Sequence, residues 1–223
     1  QVMAGRDAEA QVNLMLAMET STGPGDPPIT VEGLKTVIEM GRQGGLRLDQ
    51  WQPCCDVLSF TARNDFTGKV LEFLLSFGAA NVNGRNCSGS TALSLACSRG
   101  NARAVEVLFD ACERAGVGLD VCRPDLRGIE PLYWAIQSDA NNIAEGSEED
   151  FADIVEMLVK RGGCDLDRIW YQGARGISGL GRTCERATHV IARRCIELGA
   201  DVNMPSPRVD SMTPLHFAVY NNA

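Results

Sequence analysis

The chain has 223 residues, 44% of them hydrophobic, and a formal net charge of −8. That much apolar material can fill the core of one sizeable domain or array. No run approaches the about 18 consecutive apolar residues of a membrane helix, and an acidic chain lacks the basic footprint of a general nucleic-acid binder.

Residues 1–10, QVMAGRDAEA, lack the charged-then-apolar layout of a secretory signal. They open on Gln1, so further sequence upstream is expected. An apolar, helix-like run at 12–18 reads either as a cap on the first repeat or as a degraded earlier one, and STGPGDPPI at 21–29 reads as a linker. From residue 31 a helical stripe begins that then recurs. Leu34, Val37 and Ile38 precede Gly41, and Val70, Leu71, Leu74 and Leu75 precede Gly78. Ala104, Val105, Leu108 and Phe109 precede Cys112. Ile154, Val155, Leu158 and Val159 precede Gly162, and Ile191, Ala192, Cys195 and Ile196 precede Gly199.

The spacing i, i+1, i+4, i+5 lays these side chains along one side of a helix. The landmarks at 41, 78, 112, 162 and 199 are 37, 34, 50 and 37 residues apart, so one unit repeats and the fourth repeat carries an insertion. The stripes predict helices near 31–40, 67–77, 101–111, 151–161 and 187–198. The glycine landmarks suit left-handed helix ends, and Cys112 implies that the central helix ends differently.

Each later stripe follows a shorter helical pattern, such as Val57, Leu58 and Phe60, or Leu93, Leu95 and Ala96 behind the N-cap Thr91. Helices of about ten residues are marginal alone in water, so such a unit needs copies of itself on either side. The surplus of the fourth repeat falls at 138–150, SDANNIAEGSEED, and is expected to be a poorly ordered acidic surface loop. In the fifth repeat Gly176, Gly179 and Gly181 fall where its first helix belongs. Each costs about 1 kcal/mol of helix propensity, so that helix is expected to be distorted or melted.

Three stretches then carry a resemblance. Gly89-Ser-Thr-Ala-Leu-Ser-Leu-Ala96, Ser211-Met-Thr-Pro-Leu-His-Phe-Ala218 and Gly199-Ala-Asp-Val-Asn203 resemble the ankyrin repeat. That family's unit of about 33 residues joins a β-turn to two helices and contains T-P-L-H-x-A. The likeness covers residues 31–223 and is strongest at 67–111 and 199–220; Glu130 stands where threonine is usual, and 173–178 keeps only Gly173 and Ile177. It implies an all-α solenoid of five to six helix-turn-helix repeats, some degenerate, with β-turn tips. Residues 1–30 would form an N-terminal helix and linker, and 31–223 the array. The pattern at 213–223 reads as a first helix without its second, so Leu215 and Ala218 would be left uncovered; either the natural chain continues for at least one more repeat, which is the favoured expectation, or another chain covers this end.

No enzyme emerges from the residues. The two histidines, His189 and His216, have no nucleophile signature beside them, and His216 holds the family's structural T-P-L-H position. No ligands fall at zinc spacing, the carboxylates of 145–156 lack a calcium-loop register, and 173–181 lacks a phosphate-loop ending. Neither metal nor cofactor is expected. Nine cysteines without a CxxC pair read as reduced thiols of a cytoplasmic or nuclear protein. Residues 141–167 carry a net −6 and 168–194 a net +5, either as two solvated faces or as a dipole that orients a partner.

The resemblance implies a protein partner on a concave face of turn tips and first helices. By position the central repeat would offer Arg85, Cys87, Ser88, Ser90, Ser98 and Arg99. The fourth would offer Leu126, Arg127, Ile129, Gln137 and Ser138, and the last Val209, Asp210, Met212 and Tyr220. Two functions are open: a non-catalytic scaffold, adaptor or subunit of a larger assembly, or a regulatory segment of a multidomain enzyme or channel.

Overall fold

A computed structural model describes residues 30–43, 55–137, 147–172, 175–207 and 211–221. The expected helix at 12–18, the linker at 21–29 and residues 138–146 lie outside the described residues. Two layers of helices run through the rest. The outer layer holds the second helices of successive repeats: α1 (Val31–Gln43), α3 (Lys69–Leu75), α5 (Ala102–Ala115), α7 (Glu148–Lys160) and α9 (His189–Glu197). All five fall on the predicted windows. The inner layer holds the first helices: α2 (Cys55–Asn64), α4 (Ala92–Arg99), α6 (Pro131–Ile136), α8 (Gly179–Arg186) and α10 (Pro214–Asn221). Each helix packs on its counterpart in the neighbouring repeat, so the chain is an all-α repeat solenoid.

The recurring stripes are the core. Leu71, Leu74, Val105, Leu108, Ile154, Leu158, Ile191 and Cys195 are buried, as are Leu58, Leu93, Leu132 and Leu180 of the first helices. Helix starts are set locally. Thr91 accepts the Ser94 N–H while Ser94 Oγ accepts the Thr91 N–H, a reciprocal cap. Pro214 opens α10, and His216 Nδ1 lies 2.8 Å from Thr213 Oγ1 in the role expected of it.

A polar node ties the second repeat to the third. The buried Asp65 carboxylate accepts from the N–H groups of Thr67 (3.2 Å), Val70 (2.7 Å) and Leu71 (3.0 Å) and so caps α3. The Asn101 amide, itself 1% exposed, donates to the carbonyls of Ala62 at 2.8 Å and Asp65 at 3.0 Å, while its oxygen caps α5 at Ala104. Farther out, Asn83 donates to the Gly118 carbonyl and accepts from the Asp120 N–H, and Asp167 accepts from the Asp201 N–H. Each stitch joins neighbouring repeats.

Several expectations are corrected. Gly41 is buried within α1, and the left-handed residue after α7 is Gly163, not Gly162. The central helix runs past Cys112 to a left-handed Gly116. Ser147–Asp150 is not loop: Ser147 and Asp150 form a reciprocal cap, and the three carboxylates of Glu148, Glu149 and Asp150 fill the first turn of α7, where the helix dipole favours them.

The first helix of the fifth repeat is intact. Ser178 caps it, and a Cβ on Gly179 would come within 3.0 Å of Ile136 Cδ1 and the Leu166 carbonyl. Gly179 is there a packing requirement rather than a weakness. Gly176 lies before that helix, in an antiparallel hairpin of β1 (Ile169–Gln172) and β2 (Arg175–Ser178) that replaces the expected turn.

The segregated charges face each other across repeats. Arg194 of α9 pairs with Asp153 at 3.1 Å and with Glu156, and Glu148 Oε1 accepts the Val190 N–H at 2.7 Å. Arg161 at the end of α7 reaches back to Asp110 and Glu113, each at 2.8 Å. Much of the acidic segment's complement is therefore intramolecular.

Two outcomes are expected. Replacing Asn101 with alanine takes the partner from the Ala62 carbonyl and the Ala104 N–H, while the Asp65 carbonyl keeps the Gly68 N–H; the loss should cost about 2–4 kcal/mol in urea unfolding. A loss below about 0.5 kcal/mol would show that the node is dispensable. Leu215 and Val219 of α10 are 69% and 63% exposed, so amide exchange at 213–221 should run well ahead of exchange at 91–109.

Candidate protein-interaction face

The tips of the third and fourth repeats begin with an Asx residue that organises the turn. Asn86 Oδ1 accepts the N–H groups of Ser88 (3.0 Å) and Ser90 (2.9 Å), and the Asn86 N–H donates to the Ser90 carbonyl. Asp125 repeats the arrangement toward Arg127 and Ile129. Each tip turns through a glycine with left-handed backbone, Gly89 and Gly128, both at φ 76°. With turn backbone groups satisfied internally, the side chains between are held outward on a fixed frame.

Neighbouring tips lock together. The Arg85 guanidinium donates to the Pro124 carbonyl at 2.7 Å, and the Cys87 N–H donates to Asp56 at 2.6 Å. That same Asp56 carboxylate, as a hydrogen-bond partner, raises the Cys87 thiol from its ordinary range. Leu126 leans over Gly89 so closely that a Cβ there would lie 2.1 Å from Leu126 Cγ, yet Leu126 is 71% exposed. Arg127 stacks over the Trp134 ring at 4.7 Å and pairs with the buried Asp125 at 3.3 Å. In the fifth repeat the hairpin leans on the next tip through the Gly176 N–H and the Pro207 carbonyl, and it holds Tyr171 60% exposed.

Most of the positions expected from sequence lie along this edge. Arg85, Cys87, Ser88, Leu126 and Arg127 are exposed; Ser90, Ser98, Arg99, Ile129, Gln137 and Met212 are half-buried; Tyr220 is 78% exposed. Arg85 also bridges two tips, and the Ser98 hydroxyl is turned back onto the Leu95 carbonyl of its own helix. Ser138, Val209 and Asp210 lie outside the described residues. Trp134 and Tyr171 were missed. Trp134 stands where α4 has Leu95, and the alternation Ile169-Trp170-Tyr171 ahead of Gly173 is a strand signal that the glycine count obscured.

Glu130, the departure from the family's threonine, has a structural explanation. It gives α6 no side-chain cap and instead pairs with Arg168 of the next repeat at 2.8 Å. Beneath it Tyr133 packs on Trp170 with ring centroids 5.4 Å apart, and the Tyr133 hydroxyl accepts from Arg182 at 2.8 Å. The opposite, outer side offers a 530 Å³ groove between α5 and α7, but its charges pair among themselves, Arg103 with Glu106 and Lys160 with Glu156.

The family model for ankyrin repeats, in three copies, matches residues 58–169, half of the chain. The chain belongs to the ankyrin-repeat family. Among solved structures it is similar to the crystal structure of the ankyrin repeat domain of Bcl-3, described as a unique member of the IkappaB protein family. The two share 19% identity at a TM-score of 0.61, over 95% of this chain and 80% of that one, a likeness of fold. No curated protein matches the sequence. Within this ankyrin array the motif at 89–96 is the α4 cap and core, and the tips are the Asx turns at Asn86 and Asp125. Among the described residues no helix is long and apolar enough to cross a membrane, and no three His, Cys, Asp or Glu side chains are grouped as metal ligands.

The cysteines among the described residues are free. Burial pushes the Cys195 and Cys164 thiols up to about 12, Cys164 with the neighbouring Cys122 adding to the effect. A thiol raised in the folded state keeps its contribution to stability below the unfolded value of about 8.5 and loses it as pH climbs toward about 12. Unfolding free energies from urea titrations should therefore fall above about pH 9, by up to ~1.4 kcal/mol per pH unit for each such thiol. Replacing both with alanine should flatten that alkaline slope; an unchanged slope would assign it to other groups.

Proposed function

We propose that the chain is a non-catalytic protein–protein interaction module, a scaffold, adaptor or subunit of a larger assembly, that binds a protein through its tips and first helices. The observation that carries the reading is the edge from Leu126 to Tyr171. Leu126 stands exposed there on a turn whose backbone is already satisfied and Tyr171 on the paired hairpin, whereas most of the stripe side chains beneath are buried. Aromatic, arginine and large apolar side chains on a rigid frame are the usual anchors of interface energy. Ankyrin repeats generally serve as protein-binding modules, which supports the same reading. Residues 31–223 would act together as the binding array, in the reducing cytoplasm or nucleus that free cysteines favour.

The test places a photo-crosslinking amino acid at Leu126 or Tyr171 on the front, or at Arg103 on the outer side, in cells that express the chain. Adducts with one and the same protein are expected from both front positions and not from Arg103. Once that protein is purified, Leu126→Ala with Tyr171→Ala should weaken its binding about tenfold or more. Adducts from the outer position alone would overturn the reading.

A further inference from the structure

The charge of this acidic chain is not shared evenly between its two sides. Take the described segments that make up the front, the tips with first helices: 55–64, 85–99, 123–137, 168–172, 176–186 and 211–221. They hold eight arginines, no lysine and four carboxylates, in a chain whose net charge is −8. Two of those four carboxylates, Asp125 and Glu130, are buried and face Arg127 and Arg168. The chain's three lysines, Lys35, Lys69 and Lys160, all stand on second helices. Counted over these segments the front is positive and its cations are all arginine, with Arg123 also pairing at 3.8 Å with Asp120 just beyond them and the mostly buried Arg182 with Glu185, while the second helices, chiefly α7, carry an acidic excess.

Residue type matters here. A guanidinium is planar, weakly hydrated and matched to a carboxylate through two parallel N–H donors, whereas an ammonium is a compact, strongly hydrated point charge. Arg127 lies over the Trp134 ring with its side chain 65% exposed, and Arg168 beside Glu130 is 54% exposed. Arg85 and Arg123 stand in the same run of tips as Cys87 and Leu126. Exposed Leu126 and Tyr171 lie within this row of cations.

We infer that the front docks an acidic, Asp- and Glu-rich segment of a partner protein, its carboxylates set on the arginines of repeats three to five and its apolar side chains on Leu126 and Tyr171. This rests on the reading that the front is the binding face. Charge complementarity selects the partner: an Asp/Glu-rich segment meets a positive front, whereas a basic one would be drawn to the outer side.

The test uses the full chain and two fluorescent synthetic peptides, one of repeated Glu-Leu-Asp-Phe units and its amide counterpart of Gln-Leu-Asn-Phe units, read by anisotropy. The acidic peptide should bind about tenfold or more tightly than the amide, and the gap should shrink as salt rises past about 0.3 M. Arg85→Gln with Arg127→Gln should abolish most of that preference while far-ultraviolet dichroism stays near that of the parent. Arg103→Gln with Lys160→Gln, on the outer side, should leave it intact. Equal affinity for the two peptides, no binding of either, or displacement of the acidic peptide by a single-stranded oligonucleotide of equal charge at lower concentration would each overturn the inference. If front-position crosslinks identify a partner whose contacting segment is neutral or basic, the binding face stands and the acidic partner does not. If no front crosslink forms, both fail together.

Discussion

Contact between neighbouring repeats is the interaction on which everything else in this molecule depends. A helix of seven or eight residues such as α3 or α4 cannot persist in water, because one hydrogen-bonded turn fixes more backbone than it rewards. Its apolar stripe becomes useful only when the same stripe of the next repeat covers it. The buried polar groups follow that rule as well. Asp65 caps one helix, and Asn101 caps another while holding the carbonyls of the repeat before it. In each case a side chain satisfies backbone groups that a short helix leaves open, and Asn101 does so across a repeat boundary.

Because the interior and the boundaries supply the stability, the tips are left to vary. Asn86 and Asp125 settle the turn backbone with their own carboxamide or carboxylate oxygens, so Leu126 and Arg127 contribute little to closing the turn. The fifth repeat carries this freedom further. There a hairpin stands in for the turn without disturbing the helix behind it, since Gly179 still lies against Ile136 and Ser178 still caps. The solenoid thus tolerates a changed edge so long as the first helix keeps its seat.

Much of this was legible in the sequence, and unevenly so. The second helices could be placed because Leu, Val and Ile at a fixed spacing have one physical meaning when the pattern returns five times. The tips were legible through Gly89, Gly128 and the family motif, although the side chains that build them, Asn86 and Asp125, were not recognised. Gly179 misled because helix propensity is a local quantity and its role is tertiary: it admits Ile136 and the Leu166 carbonyl, which a Cβ would crowd. Trp134 was missed because its position repeats Leu95, a half-buried site, and its contact with Arg127 arises from two segments brought together by the turn. The charge segregation was visible as two runs, but the pairing of Arg194 with Asp153 across two helices needed the fold.

The central claim is that stability resides in the stack and that the front face is left available for binding. Equilibrium urea unfolding of one variant tests it most directly: Leu126→Ala, Arg127→Gln and Tyr171→Ala combined, set beside the parent chain. The account predicts a single transition displaced by no more than about 1.5 kcal/mol, the sum of three ordinary surface changes. A loss of about 4 kcal/mol or more, or a transition that splits in two, would contradict it, because those side chains would then belong to the structure that holds the repeats together.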